Sequence, residues 1–356
     1  DMAHYLAKMG KTVIVPAYRA PHKDSAAVPF EDRVKMCEIA FAGIENLTVS
    51  ALEQGLGEKS YTVNTVKEIK KTTDEQICLA MGDDMARCFD RWYKADELAS
   101  LCEILVFARD GKADLTALDK IGARYRVLDF KPQGLSSSKF RQNLDFSLLP
   151  YGVEQYIKAN CLYGVEELYK KELKKRLGEK RYNHCLNVAD EAKRLAKLYG
   201  ADRRKAYTAG LLHDITKELS QKEQLQMASD FDIMMSDLEK GAHKLWHAMT
   251  GSAFIEKVLK IDDREIIDAV RYHTTAKKDM SLLATVLYLA DYTSADRDYD
   301  GVDEMREAVD KSIEEAMYIA TDFTVKDLAL KGKPVHPDTV EAYKQSQQIR
   351  ARLKQA

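Results

Sequence analysis

At 356 residues, 45% hydrophobic and 31% charged, the chain is long enough for two or three domains with real cores. A formal net charge of −2 gives no global electrostatic case for nucleic acid or an anionic membrane. No apolar run approaches the roughly 20 residues needed to cross a bilayer, and no signal peptide is evident.

Residues 12–16, Thr-Val-Ile-Val-Pro, read as a short buried strand stopped by Pro16. A helix follows over 30–41, then a strand near 47–51, a helix over 64–71 and a buried strand over 76–81. That strand ends at Gly82-Asp83-Asp84, where a turn is expected. A helix over 97–101 leads to a strand over 103–108, and a helix over 114–121 to a strand over 125–130. This alternation predicts a Rossmann-like parallel α/β sheet with helices on both faces. Ligands in such sheets bind at the C-terminal strand ends. His22 and Lys23, Gly82 and Asp83, and the run Ser136-Ser137-Ser138 with Arg141 stand there. The serines open a predicted helix, where free N–H groups and the helix dipole favour an anion; a plain cap is the bland alternative, as it is for Ser60-Tyr61-Thr62.

Together these stretches resemble bacterial nicotinate-nucleotide adenylyltransferases, a nucleotidyltransferase-type fold, over about residues 1–163. The resemblance rests on Val15-Pro16, Pro21-His22-Lys23, Glu31-Asp32-Arg33, Ser60 to Thr65, Met81-Gly82-Asp83-Asp84 with Trp92, Ser136 to Arg141, and Val153 to Ile157 before Leu162-Tyr163. It implies adenylyl transfer from ATP, with magnesium, to nicotinate mononucleotide. Ser60, Tyr61, Thr62 and Trp92 would surround the nicotinate nucleotide, and Ser137, Ser138 and Arg141 would hold ATP phosphates. The family opens with a strand and an H-x-G-H motif, and neither stands in this sequence, which begins Asp1-Met2-Ala3-His4. Phosphoryl-type transfer works by positioning and charge stabilisation. The chain is therefore expected to be a fragment of a longer protein, or this half an inactive scaffold.

A seam is expected over residues 150–180, with 153–159 as the last helix of the first domain and a basic helix near 168–177. Strand signals then vanish. Val188, Ala192, Leu195, Ala196 and Tyr199 fall at helical spacing and end at Gly200. Later segments repeat that pattern, so residues 164–356 read as an all-α bundle. Six of the eight histidines lie in it. Imidazoles and carboxylates together hold borderline divalent ions. His184, His213, Asp214 and Asp291 supply such a set, with His247 and His273 as further candidates.

This half resembles the HD phosphohydrolases, and within them the symmetrical bis(5'-nucleosyl)-tetraphosphatases. The motifs are Arg181-Tyr182-Asn183-His184-Cys185, Gly210 to Asp214 with Lys217, Arg271 to Thr275, Tyr288 to Tyr292 with Arg297, and Gly332 to Thr339. The resemblance implies cleavage of diadenosine tetraphosphate to two ADP by a metal, iron by resemblance and manganese by ligand type. Asp214, His247, His273 and Lys217 are the candidate catalytic groups. Arg181, Lys217, His247, His273, Thr274 and Arg297 are candidates for substrate contact, and Pro334, His336, Pro337, Asp338 and Thr339 for a segment closing over a nucleotide. Other HD substrates, or a nucleotide sensor without turnover, remain as alternatives. The expected partners are nucleotides and dinucleoside polyphosphates, with no nucleic acid and no membrane, and a homodimer is left open. Six cysteines without a C-x-x-C pair suit reduced thiols in a cytoplasmic protein.

Overall fold

The computed structural model describes residues 1–19, 28–57, 59–108, 113–130 and 137–355, with only the backbone of 137–139. The chain divides into two compact units, Asp1–Glu154 and Gln155–Ala356.

In the first unit every strand pairing is parallel, as the strand–helix alternation demands. The ladders form two sheets rather than the single one expected. The first joins β1 (Thr12–Ile14) to β2 (Leu47–Val49). The second runs β3 (Cys78–Gly82), β4 (Glu103–Phe107), β5 (Tyr125–Leu128). β4 is apolar throughout its buried part, which is the signature of a strand covered on both sides. Its alternate residues serve two cores. Ile104 and Val106 pack with Val63, Val66, Leu98 and Leu118 from helices. Leu105 and Phe107 pack with Leu128 and with Tyr5 and Leu6 of the Met2–Met9 helix. At the end of β3 the expected turn is a short helix, Asp83–Ala86.

The unit boundary falls inside the expected seam. The Tyr151–Ala159 helix, expected to close the first domain, crosses it, and from Gln155 its residues group with the second unit. The Gln155 amide group donates to the Lys260 carbonyl at 3.0 Å and accepts from the Asp262 N–H at 2.9 Å. Thr208 donates to the Ala159 carbonyl at 2.9 Å. These bonds satisfy buried polar groups that only the helical bundle supplies.

The second unit has helices and no strand among its described residues. The Glu179–Tyr199 helix ends at Gly200, whose φ of 80° is the left-handed C-cap the sequence predicts. Asp202 and Asp263 cap the Arg203–Leu212 and Arg264–Tyr272 helices by accepting backbone N–H bonds. The Leu282–Thr293 helix is buried over most of its length, consistent with a helix apolar nearly all round. Gly210 sets the closest helix approach. A Cβ there would lie 2.7 Å from the Ala189 Cα, a backbone atom that cannot swing aside. The contact brings the Arg203–Leu212 helix against the middle of Glu179–Tyr199, with His213 three residues beyond it and His184 five residues before Ala189.

Gly210→Ala is therefore expected to destabilise the metal-free protein by about 1–3 kcal/mol through overpacking. Urea unfolding measures it, and a change within about 0.5 kcal/mol would show that the two helices separate freely.

A candidate metal centre in the helical unit

Five helical segments deliver six metal-ligand side chains to one place. His184 comes from the middle of Glu179–Tyr199 and Asp291 from the last turn of Leu282–Thr293. His213 and His273 are the residues that end Arg203–Leu212 and Arg264–Tyr272. Asp214 follows His213 in the turn, and His247 sits in the first turn of Trp246–Lys257.

His213 and His273 are oriented by the same local device. His213 Nδ1 donates to the Gly210 carbonyl at 2.6 Å, and His273 Nδ1 to the Val270 carbonyl at 2.7 Å. A carbonyl only accepts, so each Nδ1 carries a proton, and in the neutral tautomer each Nε2 is the atom left to bind a metal. His184 is oriented by a carboxylate instead, with Nδ1 2.8 Å from Asp296 Oδ2. Asp296 is held in turn by Asn187 and Ser294, which donate to its other oxygen at 3.2 and 2.9 Å.

The two oxygens of Asp214 face two groups of imidazoles. Oδ2 lies 3.4 Å from His213 Nε2 and 4.0 Å from His184 Nε2. Oδ1 lies 3.1 Å from His247 Nε2 and 3.5 Å from His273 Nε2. Asp291 Oδ1 adds contacts of 3.0 Å to His184 Nε2 and 3.9 Å to His213 Nε2. Three overlapping triads each present ligand atoms within 4.8 Å of one another: His184, His213, Asp214; His213, His273, Asp291; and Asp214, His247, His273.

The donor set fits a divalent cation on its own unsatisfied chemistry. His213 Nε2 and Asp214 Oδ1 are buried and have no hydrogen-bond partner. The 3.1 Å approach of His247 to Asp214 Oδ1 is close enough for a hydrogen bond but lacks the alignment of one. Leaving a buried charged oxygen unpaired is costly, and a cation there removes the cost. Burial alone would push the Asp214 carboxyl up, but the imidazoles of His213, His247 and His273 outweigh it and hold it well below the ordinary range. Burial likewise opposes ionisation of Asp291, and His184 and Arg297 reverse the sign. Burial takes His247 down to about 4 against the pull of Asp214, so this imidazole is neutral.

Three cations stand at the rim. Arg181 donates to Asp214 Oδ2 at 2.9 Å, Arg297 pairs with Asp291 Oδ1, and Lys217 Nζ is 3.0 Å from His247 Nε2. Burial lowers the Lys217 ammonium despite the nearby Asp214 and Asp291. A cleft of about 370 Å³ opens beside the ligands, lined in part by His273, Thr274, Asp291 and Arg297.

The Pro334–Thr339 segment, expected to close over a nucleotide, builds a helix start. His336 Nδ1 accepts from the Asp338 N–H at the head of Pro337–Leu353, where Pro337 needs no amide partner. Thr339 is buried and donates to the Thr275 carbonyl at 2.7 Å. Pro334 is exposed, and none of these residues lines the cleft.

In the first unit, Ser60 is tied to Arg19 in both directions: its hydroxyl accepts from the Arg19 N–H at 2.9 Å, and its N–H donates to the Arg19 carbonyl at 3.0 Å. It is thus not a helix cap. Tyr61 packs on Tyr93 with ring centroids 4.3 Å apart, Thr62 opens the Thr62–Lys70 helix, and Trp92 lies 5.1 Å from Phe89. Gly82 closes β3 and the buried Asp83 follows it, at a parallel strand's C-terminal end. Arg141 lies in the Ser137–Asn143 helix. His22 and Lys23 lie outside the described residues, as do the side chains of Ser137 and Ser138.

Asp296 is the functional residue that pattern reading missed. Asp296→Asn is expected to weaken divalent-metal affinity about 10–100-fold, as loss of an orienting partner does. Competition with a chelator measures it, and unchanged affinity would show that His184 is oriented without Asp296.

Residues 181–296 match the model of the HD domain, and residues 1–143 that of the cytidylyltransferase-like family. The symmetrical bis(5'-nucleosyl)-tetraphosphatase of Bacillus subtilis (strain 168) is 35% identical over 171 residues, 48% of this chain and 91% of the relative. The probable nicotinate-nucleotide adenylyltransferase/Ap4A hydrolase of Mycoplasma genitalium is 27% identical over 296 residues, 82% of this chain and 80% of the relative. A crystal structure from Clostridium acetobutylicum, described as a predicted HD superfamily hydrolase involved in NAD metabolism, superimposes with a TM-score of 0.50 at 36% identity, over 51% of this chain and 96% of that one. The chain belongs, through its helical unit, to the HD-domain family of symmetrical bis(5'-nucleosyl)-tetraphosphatases, and it joins to that unit a cytidylyltransferase-like one.

Proposed function

We propose that the helical unit hydrolyses diadenosine tetraphosphate at its central anhydride, giving two ADP. The first unit is proposed to transfer an adenylyl group from ATP to nicotinate mononucleotide, forming deamido-NAD and pyrophosphate. The observation that carries the hydrolase reading is the buried Asp214 carboxylate presented to four imidazoles, with Arg181, Lys217 and Arg297 around it. Asp291, His184, His213 and Asp214 would hold one divalent ion. Asp214, His247 and His273 would hold a second, with Asp214 shared.

When bound, such a cation supplies Lewis acidity, which acidifies water and offsets phosphate charge. Four imidazoles favour a transition metal over magnesium; iron is our first assignment and manganese the alternative. The protein's own groups do the remaining work. Arg181 and Arg297 offer planar donor forks suited to phosphate oxygens. Lys217 places an N–H donor beside the ligands, where it can stabilise charge on the departing ADP. Thr275 and Thr339 brace the turn after His273 through the Thr339 hydroxyl. Asp214 and the four imidazoles are nearly removed from solvent, so the electrostatics among them act at low dielectric. Magnesium would accompany ATP in the first unit. The six free thiols suit a cytoplasmic setting, and no helix of the described residues is long and apolar enough to cross a membrane.

With iron or manganese supplied, diadenosine tetraphosphate is expected to yield ADP alone by chromatography, with turnover abolished by Asp214→Ala. AMP plus ATP would overturn the bond assignment. For the first unit, deamido-NAD is expected from ATP, magnesium and nicotinate mononucleotide only in a form that carries an H-x-G-H segment, which residues 1–356 lack. Product from residues 1–356 alone would contradict that dependence.

A further inference from the structure

We propose that Phe323 and Tyr299 form a stacking platform for the purine base of one half of the substrate, with Lys331 placed for its phosphates. The proposal rests on the reading of this unit as a nucleotide hydrolase. The cleft that touches the ligands His273 and Asp291 is continued by Tyr292, Tyr299, Phe323, Asp327 and Lys331. Phe323 is 41% exposed although it stands on the Ile313–Leu330 helix beside the buried Ala320 and Thr321. An aromatic ring left open within an active-site cleft is a recognition surface rather than core.

The rings around it are fixed. Tyr299 donates its hydroxyl to the Tyr292 carbonyl at 3.1 Å and lies 5.6 Å from Phe323, tilted by 38°. Tyr292 meets Phe323 edge-on at 6.4 Å and is hydrogen-bonded to Thr324 at 2.6 Å. Phe323 thus keeps 41% of its surface open although two aromatic rings adjoin it. Lys331 is held by Asp327 at 2.6 Å, yet its side chain is 58% exposed. Arg297 and Lys331 thus bring two cations to the lining, next to the aromatic surface.

Size decides how much of the substrate enters. About 370 Å³ is near the lower end of the roughly 300–1,000 Å³ typical of small-molecule sites. It suits one nucleoside with its adjoining phosphates, not both halves of a dinucleoside tetraphosphate. Because the substrate is symmetrical, either half can be the one anchored. Stacking reads the face of a base rather than its edge, so the subsite should favour purines over pyrimidines without separating adenine sharply from guanine.

Calorimetry on the manganese-loaded full chain tests this with ADP, UDP and inorganic pyrophosphate. ADP is expected to bind more tightly than UDP. Phe323→Ala is expected to weaken ADP binding roughly 5- to 100-fold, the range for loss of one base stack. Manganese stoichiometry and pyrophosphate affinity should hold in that variant, and Phe323→Trp should restore ADP binding. Leu330→Ala, on the same helix at 89% exposure and outside the cleft lining, should change nothing. Wild-type ADP affinity in Phe323→Ala, or equal losses for ADP and pyrophosphate, would overturn the platform. Failure of the hydrolase reading looks different: Phe323-dependent ADP binding without any turnover of diadenosine tetraphosphate.

Discussion

A single buried carboxylate, Asp214, is the group on which the helical unit depends. Its two oxygens approach imidazoles from four different segments. An isolated carboxylate in that position would be strongly disfavoured, so the surrounding histidines, the Arg181 guanidinium at 2.9 Å and a cation, when one is bound, offset the cost of burying it. Three of the histidines are in turn fixed by hydrogen-bond partners of their own. Two are anchored to helix-terminal carbonyls three residues back, and one to Asp296. Those carbonyls belong to the last turns of helices, which lack intrahelical partners and carry partial negative charge. One bond therefore both completes a helix end and aims a ligand.

Packing supplies the precision that ligation demands. The close approach at Gly210 and Ala189 brings two ligand-bearing helices nearer than side chains would otherwise permit. The buried Leu282–Thr293 helix presents Asp291 from within an apolar shell. The cations Arg181, Lys217 and Arg297 surround the carboxylates, and Arg297 also lines the adjoining cleft. On the proposed reading the interior would hold the metal and these cations would meet the polyphosphate.

How much of this is legible in the sequence differs between residues for physical reasons. The six candidate ligands, four as the expected set with His247 and His273 beside them, stand out in the sequence because metal binding needs scarce residue types. The strands of the first unit are visible for a similar reason: β4 must be apolar on both faces. Asp296 is hidden because it lies in Asp296-Arg297-Asp298-Tyr299-Asp300, where one carboxylate looks like another. Phe323 is hidden because an aromatic in an amphipathic helix ordinarily reads as core. The Pro334–Thr339 stretch is ambiguous in sequence because proline beside polar residues serves a helix start as well as a binding loop. The unit boundary lies inside the expected seam, but its place within the Tyr151–Ala159 helix is not legible, because that helix has one continuous pattern while its second half answers to Lys260 and Asp262.

The central claim is that Asp214 is the shared ligand of a metal centre. Anomalous diffraction from crystals of the full chain grown with manganese tests it most directly. Peaks are expected on both sides of the Asp214 carboxylate, within direct coordination distance of its oxygens and of the surrounding imidazole nitrogens. One peak would be held by His184, His213 and Asp291, the other by His247 and His273. Manganese bound only at surface carboxylates, with Asp214 left to Arg181 and the histidines, would contradict it.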